Sequence, residues 1–419
     1  LKKREKGMET PDGVVVIVLA GGEGTRLWPL TQHRCKSAVG FGGKYRLIDI
    51  PISNALNSNI NNLFIISQYF APNLHQHILS TYHGDLFHKG SLLLLSPKKE
   101  NGLTTKFQGT ADAIRKNLSS LTASLADYFL ILSGDQLYNM NLKELIQFAI
   151  NKQAKLVVAS LYVTQNDAKR MGVLRVDQNG LIKAFCEKPK DKNTLNSFSI
   201  PRNENLSYLA SMGIYVFRRD VLFALLQKEG NDFGYHLIPN QMAQGDSYAY
   251  IYDGYWADIG TITSFYEANM ALLDRRNCLN TFDEFNPIYT RTHHLANPFL
   301  NGTITNAIVS QGSIIESAEI EQSILGMRCH LQQGSKIYNS ILMGSSLPLP
   351  TDSSQSLPFS IGKNCIIKKA IIDENSSIGN NVRLLNEQKL EYYNSEHVCI
   401  RNGIIVVKTG AHLVDGFTI

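Results

Sequence analysis

Residues 14–20, VVVIVLA, form an unbroken apolar run rich in β-branched side chains that leads without a spacer into GGEGTR. The run is far too short to span a membrane. It lacks the alternation of a half-exposed strand, so it reads as a strand covered on both faces that enters a glycine-rich turn. Similar texture recurs at LFIIS (63–67), YFLILSGD (128–135), AKLVVASLYV (154–163) and SMGIYVF (211–217), with helical segments between them, among them 110–120 and 141–150. Strands alternating with helices predict an α/β domain with a doubly wound, mainly parallel sheet. Its ligand crevice lies beyond the carboxyl ends of the strands. GVLRVDQNGLIKAFCEK (172–188) alternates on either side of Asn179-Gly180 and predicts an antiparallel hairpin beside that crevice.

Near residue 300 the pattern changes. Helical periodicity stops, and isoleucines recur every six positions at 308, 314 and 320 and again at 366, 372 and 378, separated by small residues, Asn and Gly. That spacing predicts a parallel β-helix whose coils stack apolar side chains; a short-stranded sandwich is the alternative and offers no reason for the period. SSLPLPTDSSQSLP (345–358) reads as a loop thrown out of the coil. The expected organisation is a tail over 1–13, the α/β domain over 14–273, a linker over 274–302 and the β-helix over 303–419, a division that suits 419 residues.

A net charge of +5 is too weak a bias for nucleic-acid binding and suits small anions equally well. The basic run Lys2–Lys6 reads as a solvated tail. Six scattered cysteines without a C-x-x-C pair argue for free thiols in a reducing compartment. Neither a membrane segment nor a targeting pattern is evident, which favours a cytoplasmic location; a plastid origin with a removed transit peptide stays open. The histidines at 75, 77, 83, 88, 293 and 294 lack ligand spacing and read as surface or helix positions.

The chemistry concentrates in six segments. In LAGGEGTRL (19–27), Leu19, Ala20, Gly21, Gly22 and Thr25 bring backbone close to a nucleotide, and Arg26 offers its fork of donors to phosphate. The pattern is neither a dinucleotide fingerprint nor a Walker loop. Lys36, with Lys44 and Arg46, could complete a triphosphate cage. In FQGTADAIR (107–115), Gly109 and Thr110 open a helix whose N-terminal donors suit an anion, and Gln108 can read a base edge; capping by Thr110 and Asp112 is the bland reading. Asp135, in SGDQLY, follows a buried strand, and Asp258, in YWADIGT, precedes a helix. Hard carboxylate oxygens at both places suit Mg²⁺. Asp253 competes for the second position but reads as a turn residue. Glu187 and Lys188, ahead of Pro189, can meet a sugar hydroxyl and a sugar phosphate, or form a plain surface pair.

Together LAGGEGTRLWPLT, KYRLIDIPISNALNSNI, FQGTADAI, SGDQLY, FCEKP, ASMGIYVF, NDFGYHLIP and YDGYWADIGT closely resemble the ADP-glucose pyrophosphorylase (glucose-1-phosphate adenylyltransferase) family of glycogen and starch synthesis. The resemblance implies a nucleotidyltransferase domain followed by a left-handed parallel β-helix. It implies transfer between ATP and glucose 1-phosphate with release of pyrophosphate, the first committed step of glucan synthesis, using Mg²⁺ on Asp135 and Asp258. Catalytic roles fall on Arg26, Asp135 and Lys188, and sugar-phosphate contacts on Phe107, Gly172, Glu187, Lys188 and Ser211. It further implies a homotetramer under small-molecule allosteric control, with Arg401 and Lys408 as candidate effector residues. Three positions depart from the family pattern: Ser37 stands where Pro is usual, Phe107 where Tyr is frequent, and Arg401 where Lys is frequent.

No nucleophilic serine elbow and no catalytic triad accompany these motifs, which fits attack by an oxygen already anionic at neutral pH. The alternatives are another base or sugar, a regulatory subunit with little turnover, and an acyltransferase β-helix, for which His330 is the candidate base.

Overall fold

The computed structural model describes residues 13–419 except 69–70, 83–89, 98, 101–102, 105, 203–204, 277 and 349–356. The basic run Lys2–Lys6, His83, His88 and the middle of segment 345–358 lie outside the described residues.

The first domain is built on strands β1 (Val14–Ala20), β2 (Asn62–Ser67), β3 (Ser91–Leu95), β4 (Tyr128–Ser133), β5 (Gln136–Tyr138), β6 (Leu156–Val163), β7 (Gly172–Val176), β8 (Ile182–Glu187), β9 (Asn205–Arg218), β10 (Ser247–Ile251) and β11 (Trp256–Asp258). In the large sheet the order is β8-β7-β9-β4-β1-β2-β3, with β6 and β10 joined through β9. Strands β1, β2, β3 and β4 run parallel, while β9 runs antiparallel to β4 and β6. Val16 and Val18 pack in one buried cluster and Val15 and Ile17 in another on the opposite face, which is why β1 is apolar at every position. Helices include α1 (Asp49–Asn57), α2 (Ala71–Thr81), α3 (Thr110–Arg115), α4 (Leu142–Asn151), α5 (Arg219–Leu226) and α6 (Ile262–Ala271). The side chain of Asn141 accepts from the Lys143 amide to open α4, and Thr261 with Ser264 forms a capping box on α6. The hairpin β7–β8 forms as expected, with Gly180 at φ +80° in its turn.

The second domain is a three-sided coil of parallel strands. Ile315, Leu331, Ile361, Ile378 and Leu413 stack along one side, Ile320, Ile337, Ile367 and Leu384 along the next, and Leu325, Leu342, Ile372 and Val407 along the third. All are buried in one core. The period of six therefore points at the right architecture but partly at the wrong residues. Ile314 is 37% exposed, and its neighbour Ile315 fills the coil; Ile366 likewise yields to Ile367. The first coil strand, Phe299–Thr305, begins inside the segment expected as linker. A second excursion, Tyr392–Asn394 with Val398–Arg401, adds an antiparallel ribbon beside Ile404–Val407.

On the third side the strands are apolar on both faces. Ile324, Ile341 and Ile371 point out of the coil, yet they are buried in a cluster with Leu27, Phe41, Leu47, Ile259 and Phe265 of the first domain. The two domains thus share a hydrophobic core. Beside it lies a buried charge network: Arg34 pairs with Asp373, Arg34 Nη1 lies 3.3 Å from Glu374 Oε1, and Arg46 Nη1 lies 3.4 Å from the same oxygen. Thr409 donates to Asp373, and Arg34 Nε donates to Leu30 O at 2.9 Å. Burial pushes the Asp373 carboxyl up, and Arg34 only partly opposes the shift.

Removing one member of such a network leaves the other as an uncompensated buried charge. Asp373→Ala is therefore expected to cost about 3 kcal/mol of stability in urea denaturation, and Arg34→Met with Asp373→Leu to recover most of that loss. Equal stability for the single variant and the wild type would show that the network is not holding the domains together.

Candidate functional site

The glycine-rich turn leaves the carboxyl end of β1, as Leu19 and Ala20 end in register with Ile66 and Ser67 of β2. Gly24 has φ +67°, a left-handed conformation, and a Cβ there would sit 2.9 Å from Thr31 and 3.0 Å from Cβ of Lys36. Glycine is required at this position for both reasons. The turn is thereby pressed onto the short helix Lys36–Ala38, with Thr25 and Arg26 exposed above it.

Asp135 follows β4. Gly134 N donates to Leu19 O at 3.0 Å, which joins the ends of β4 and β1, and Ser133 Oγ donates to Asp135 Oδ1. Asp258 reaches the same place from far along the chain, because β11 pairs antiparallel with β5 and sets Asp258 opposite Gln136. Ile259 N then donates to Asp135 O at 3.3 Å. Trp256 Nε1 approaches Gln136 Oε1 at 3.4 Å, and Gln136 Nε2 donates to Met212 O at 2.7 Å, so the ladder is braced against β9. Asp253 lies exposed in the preceding turn.

Lys36 Nζ stands between the two carboxylates, 2.5 Å from Asp135 Oδ2 and 3.9 Å from Asp258 Oδ1. Burial pushes Asp135 up, but the charge and hydrogen bond of Lys36 outweigh it and hold the carboxyl below its usual range. Asp258 goes the other way: burial and the neighbouring Asp135 raise it, against Lys36 and Arg26. Arg26 lies close to Asp258, since a Cβ on Gly260 would sit 3.1 Å from Asp258 Oδ2 and 3.5 Å from Arg26 Nη2. Two hard carboxylates able to share one cation fit a divalent metal that keeps water and phosphate ligands. Among the described residues no group of three or more His, Cys, Asp or Glu side chains is arranged to hold a metal.

The hairpin supplies the other wall. Glu187 ends β8 opposite Gly172, and its Oε2 would lie 2.7 Å from a Cβ on either Gly172 or Gly234, so the carboxylate fills a slot that only two glycines leave open. Burial raises its pKa, and Lys188 Nζ, 3.3 Å from Oε1, partly offsets that. Lys188 has φ +47°, a strained value for a side-chain-bearing residue, and its amide donates to Met171 O at 3.1 Å. Its ammonium lies 5.5 Å from the centre of the Tyr235 ring. The pair is therefore more built than a plain surface ion pair. Ser211, 7% exposed on β9, accepts from Gly213 N at 3.2 Å and lies 3.4 Å from Tyr215 Oη.

The segment Phe107–Thr110 differs from expectation. The amides of Ala111 and Asp112 donate to Asn231 O at 2.8 and 3.3 Å, so these donors at the start of α3 are already taken. A Cβ on Gly109 would lie 2.2 Å from the same carbonyl. Thr110 Oγ1 accepts from Phe233 N at 3.1 Å, and Asp112 accepts from Gln108 N at 2.8 Å. The Gln108 side chain holds Asn231 Nδ2 at 3.0 Å, and the amide of Phe107 donates to Gln68. Asn231, Asp232 and Gln68 were not singled out from the sequence; the signal for Asn231 and Asp232 was their place in NDFGYHLIP.

Lys44 and Arg46 do not join the glycine-rich turn. They line a separate cavity of about 310 Å³ between the two domains, together with Arg34, His77, Arg291 and His293. His77 is buried against Asp49, 2.6 Å from Oδ1, and is not a surface residue. Its partner Asp49 opens α1, in a segment quoted only for the family resemblance and for Lys44 and Arg46. Arg401 and Lys408 lie elsewhere again: both stack on Trp28, at 4.9 Å each, with Arg401 also 4.1 Å from the Tyr392 ring and Lys408 Nζ bonded to Ser395 O at 2.6 Å.

A centre of this kind can bind a polyphosphate, hold a divalent cation and present a second anion from the hairpin side. Among the described residues no helix is long and apolar enough to cross a membrane. Residues 296–418 match the GLGC left-handed parallel beta-helix domain, which agrees with the three-sided coil. Residues 15–275, more than half of the sequence, match the nucleotidyl transferase family and contain every residue of the two-carboxylate centre and the hairpin wall; the chain belongs to that family.

Proposed function

We propose that this protein is a glucose-1-phosphate adenylyltransferase, forming ADP-glucose and pyrophosphate from ATP and α-D-glucose 1-phosphate. The observation that carries the reading is the convergence of Asp135, Asp258, Lys36 and Arg26 beside the glycine-rich turn. The choice of adenine rests on the resemblance of the KYRLIDIP and FQGTADA segments to adenylyl-specific members, and that of glucose on the family resemblance as a whole.

In this reading Arg26 and the turn Gly21–Thr25 grip the triphosphate, and Lys188 receives the phosphate of the sugar. Phe107, Glu187 and Ser211 face the sugar, and Gln108 borders the base. A phosphate oxygen of glucose 1-phosphate attacks the α-phosphorus in line, and pyrophosphate leaves. The attacking oxygen is already an anion, so no base has to remove a proton, and the residues act by alignment and charge compensation. Mg²⁺, held by Asp135 and Asp258, would offset charge on the triphosphate.

The cavity lined by Arg34, Lys44, Arg46, His77, Arg291 and His293 is the better place for an anionic effector between the domains; Arg401 and Lys408, committed to Trp28, would act from the neighbouring ribbon. A homotetramer remains part of the proposal.

Three outcomes test this reading. With purified protein, pyrophosphate release from glucose 1-phosphate should be fastest with ATP among ATP, UTP, dTTP and GTP; preference for another nucleotide would move the pathway and leave the chemistry. Asp135→Asn should lower kcat on the order of 10²-fold or more with the fold retained by circular dichroism. Near-normal turnover would remove Asp135 from the centre. Gly172→Ala, which drives a methyl into Glu187 and Phe185, should raise KM for glucose 1-phosphate about tenfold while KM for ATP stays near wild type.

A further inference from the structure

Lys36 is more than a phosphate contact in waiting. Its ammonium reaches both Asp135 and Asp258, with one close contact and one longer one. Residue 36 is only 8% exposed, and its stem packs under Gly24, which sets the side chain at the base of the glycine-rich turn that is proposed to hold the triphosphate. Without this contact Asp135 loses its hydrogen-bonded cation, and the two neighbouring carboxylates keep chiefly the more distant Arg26 against their mutual repulsion.

We infer that Lys36 is a resident stand-in for the metal: in the nucleotide-free protein its ammonium bridges Asp135 and Asp258, and metal arriving with the triphosphate displaces it toward the phosphates. Lys36 is thus a positioning residue for the empty centre and a phosphate contact for the filled one. One consequence is ordered loading. Free metal must compete with a tethered cation, whereas metal delivered on a nucleotide offers the displaced ammonium a new anionic partner in the same step. The centre is protected from binding metal alone, and the carboxylates are kept aligned until substrate comes. The inference rests on the proposed reaction for its meaning, but its test does not depend on turnover.

Mn²⁺ titrated into nucleotide-free protein and followed by electron paramagnetic resonance reads the competition directly. Lys36→Met removes the ammonium and keeps much of the stem; it should bind Mn²⁺ at least tenfold more tightly than wild type, while binding of metal-free ATP weakens. Adding Asp135→Asn should abolish the gained site. A lysine that serves only the phosphates, or only the fold, predicts unchanged or weaker Mn²⁺ binding in Lys36→Met, and that result would overturn the inference. If Lys36→Met does not fold, the wild type decides. Reductive methylation of Lys36, followed by mass spectrometry, should accelerate several-fold on saturating Mn²⁺, and an unchanged rate would count against displacement. Tighter Mn²⁺ binding without pyrophosphate release from any nucleotide would leave the stand-in intact and remove the proposed reaction; normal turnover with unchanged Mn²⁺ binding would do the reverse.

Discussion

The centre depends on the pairing of β11 with β5. Three residues on each strand are enough to set Asp258 opposite Gln136, beside Asp135, although the two carboxylates are separated by more than a hundred residues of chain. Short antiparallel ladders have little stability of their own, and this one is held from both sides. Leu137 and Ile259 enter the core shared with the β-helix, while Tyr138 and Trp256 pack against the core beneath the sheet. The separation of the carboxylates is thus a product of packing in two cores at once. Lys36 then supplies the charge that lets two acids face each other.

The same shared core explains why the β-helix is more than an appendage. Ile324, Ile341 and Ile371 would be exposed isoleucines on an isolated coil; against Leu27, Phe41 and Phe265 they become interior. The buried pairs from Arg34 and Arg46 to Asp373 and Glu374 add little net stability, because desolvation offsets most of their attraction, but a mispaired arrangement would be costly. They therefore select one relative placement of the domains. Arg46 also donates to Ala38 O, at the end of the helix that carries Lys36, so the network reaches within a few residues of the carboxylates. A ligand in the cavity beside Glu374 would compete for those guanidinium groups within a few residues of Lys36.

Much of the fold was legible because its determinants are local and periodic. The two-faced burial of β1 follows from VVVIVLA and the hairpin from Asn179-Gly180, and a helix forms after Asp258 as expected. The β-helix was legible as an architecture, but its inward register was not. On the side covered by the first domain both faces of each strand are apolar, and a period cannot choose between Ile371 and Ile372 when both are buried for different reasons. At Phe107–Thr110 a local reading fails for a related cause: the start of a helix offers free donors only if nothing distant accepts them, and Asn231 does.

By itself the sequence determined which residue types are present for the chemistry: a glycine turn, Arg26, Lys36, two aspartates after strand-like segments, and Glu187 with Lys188 before a proline. These are matters of composition and short spacing, which survive without a fold. Only the tertiary structure decided that Lys36 lies between Asp135 and Asp258, that Lys44 and Arg46 serve the domain boundary, that His77 is buried on Asp49, and that Arg401 and Lys408 share Trp28. Each of those facts is a meeting of side chains far apart in the chain, and what brings them together is the burial of apolar surface in cores to which both domains contribute, a free energy that no local window of sequence contains.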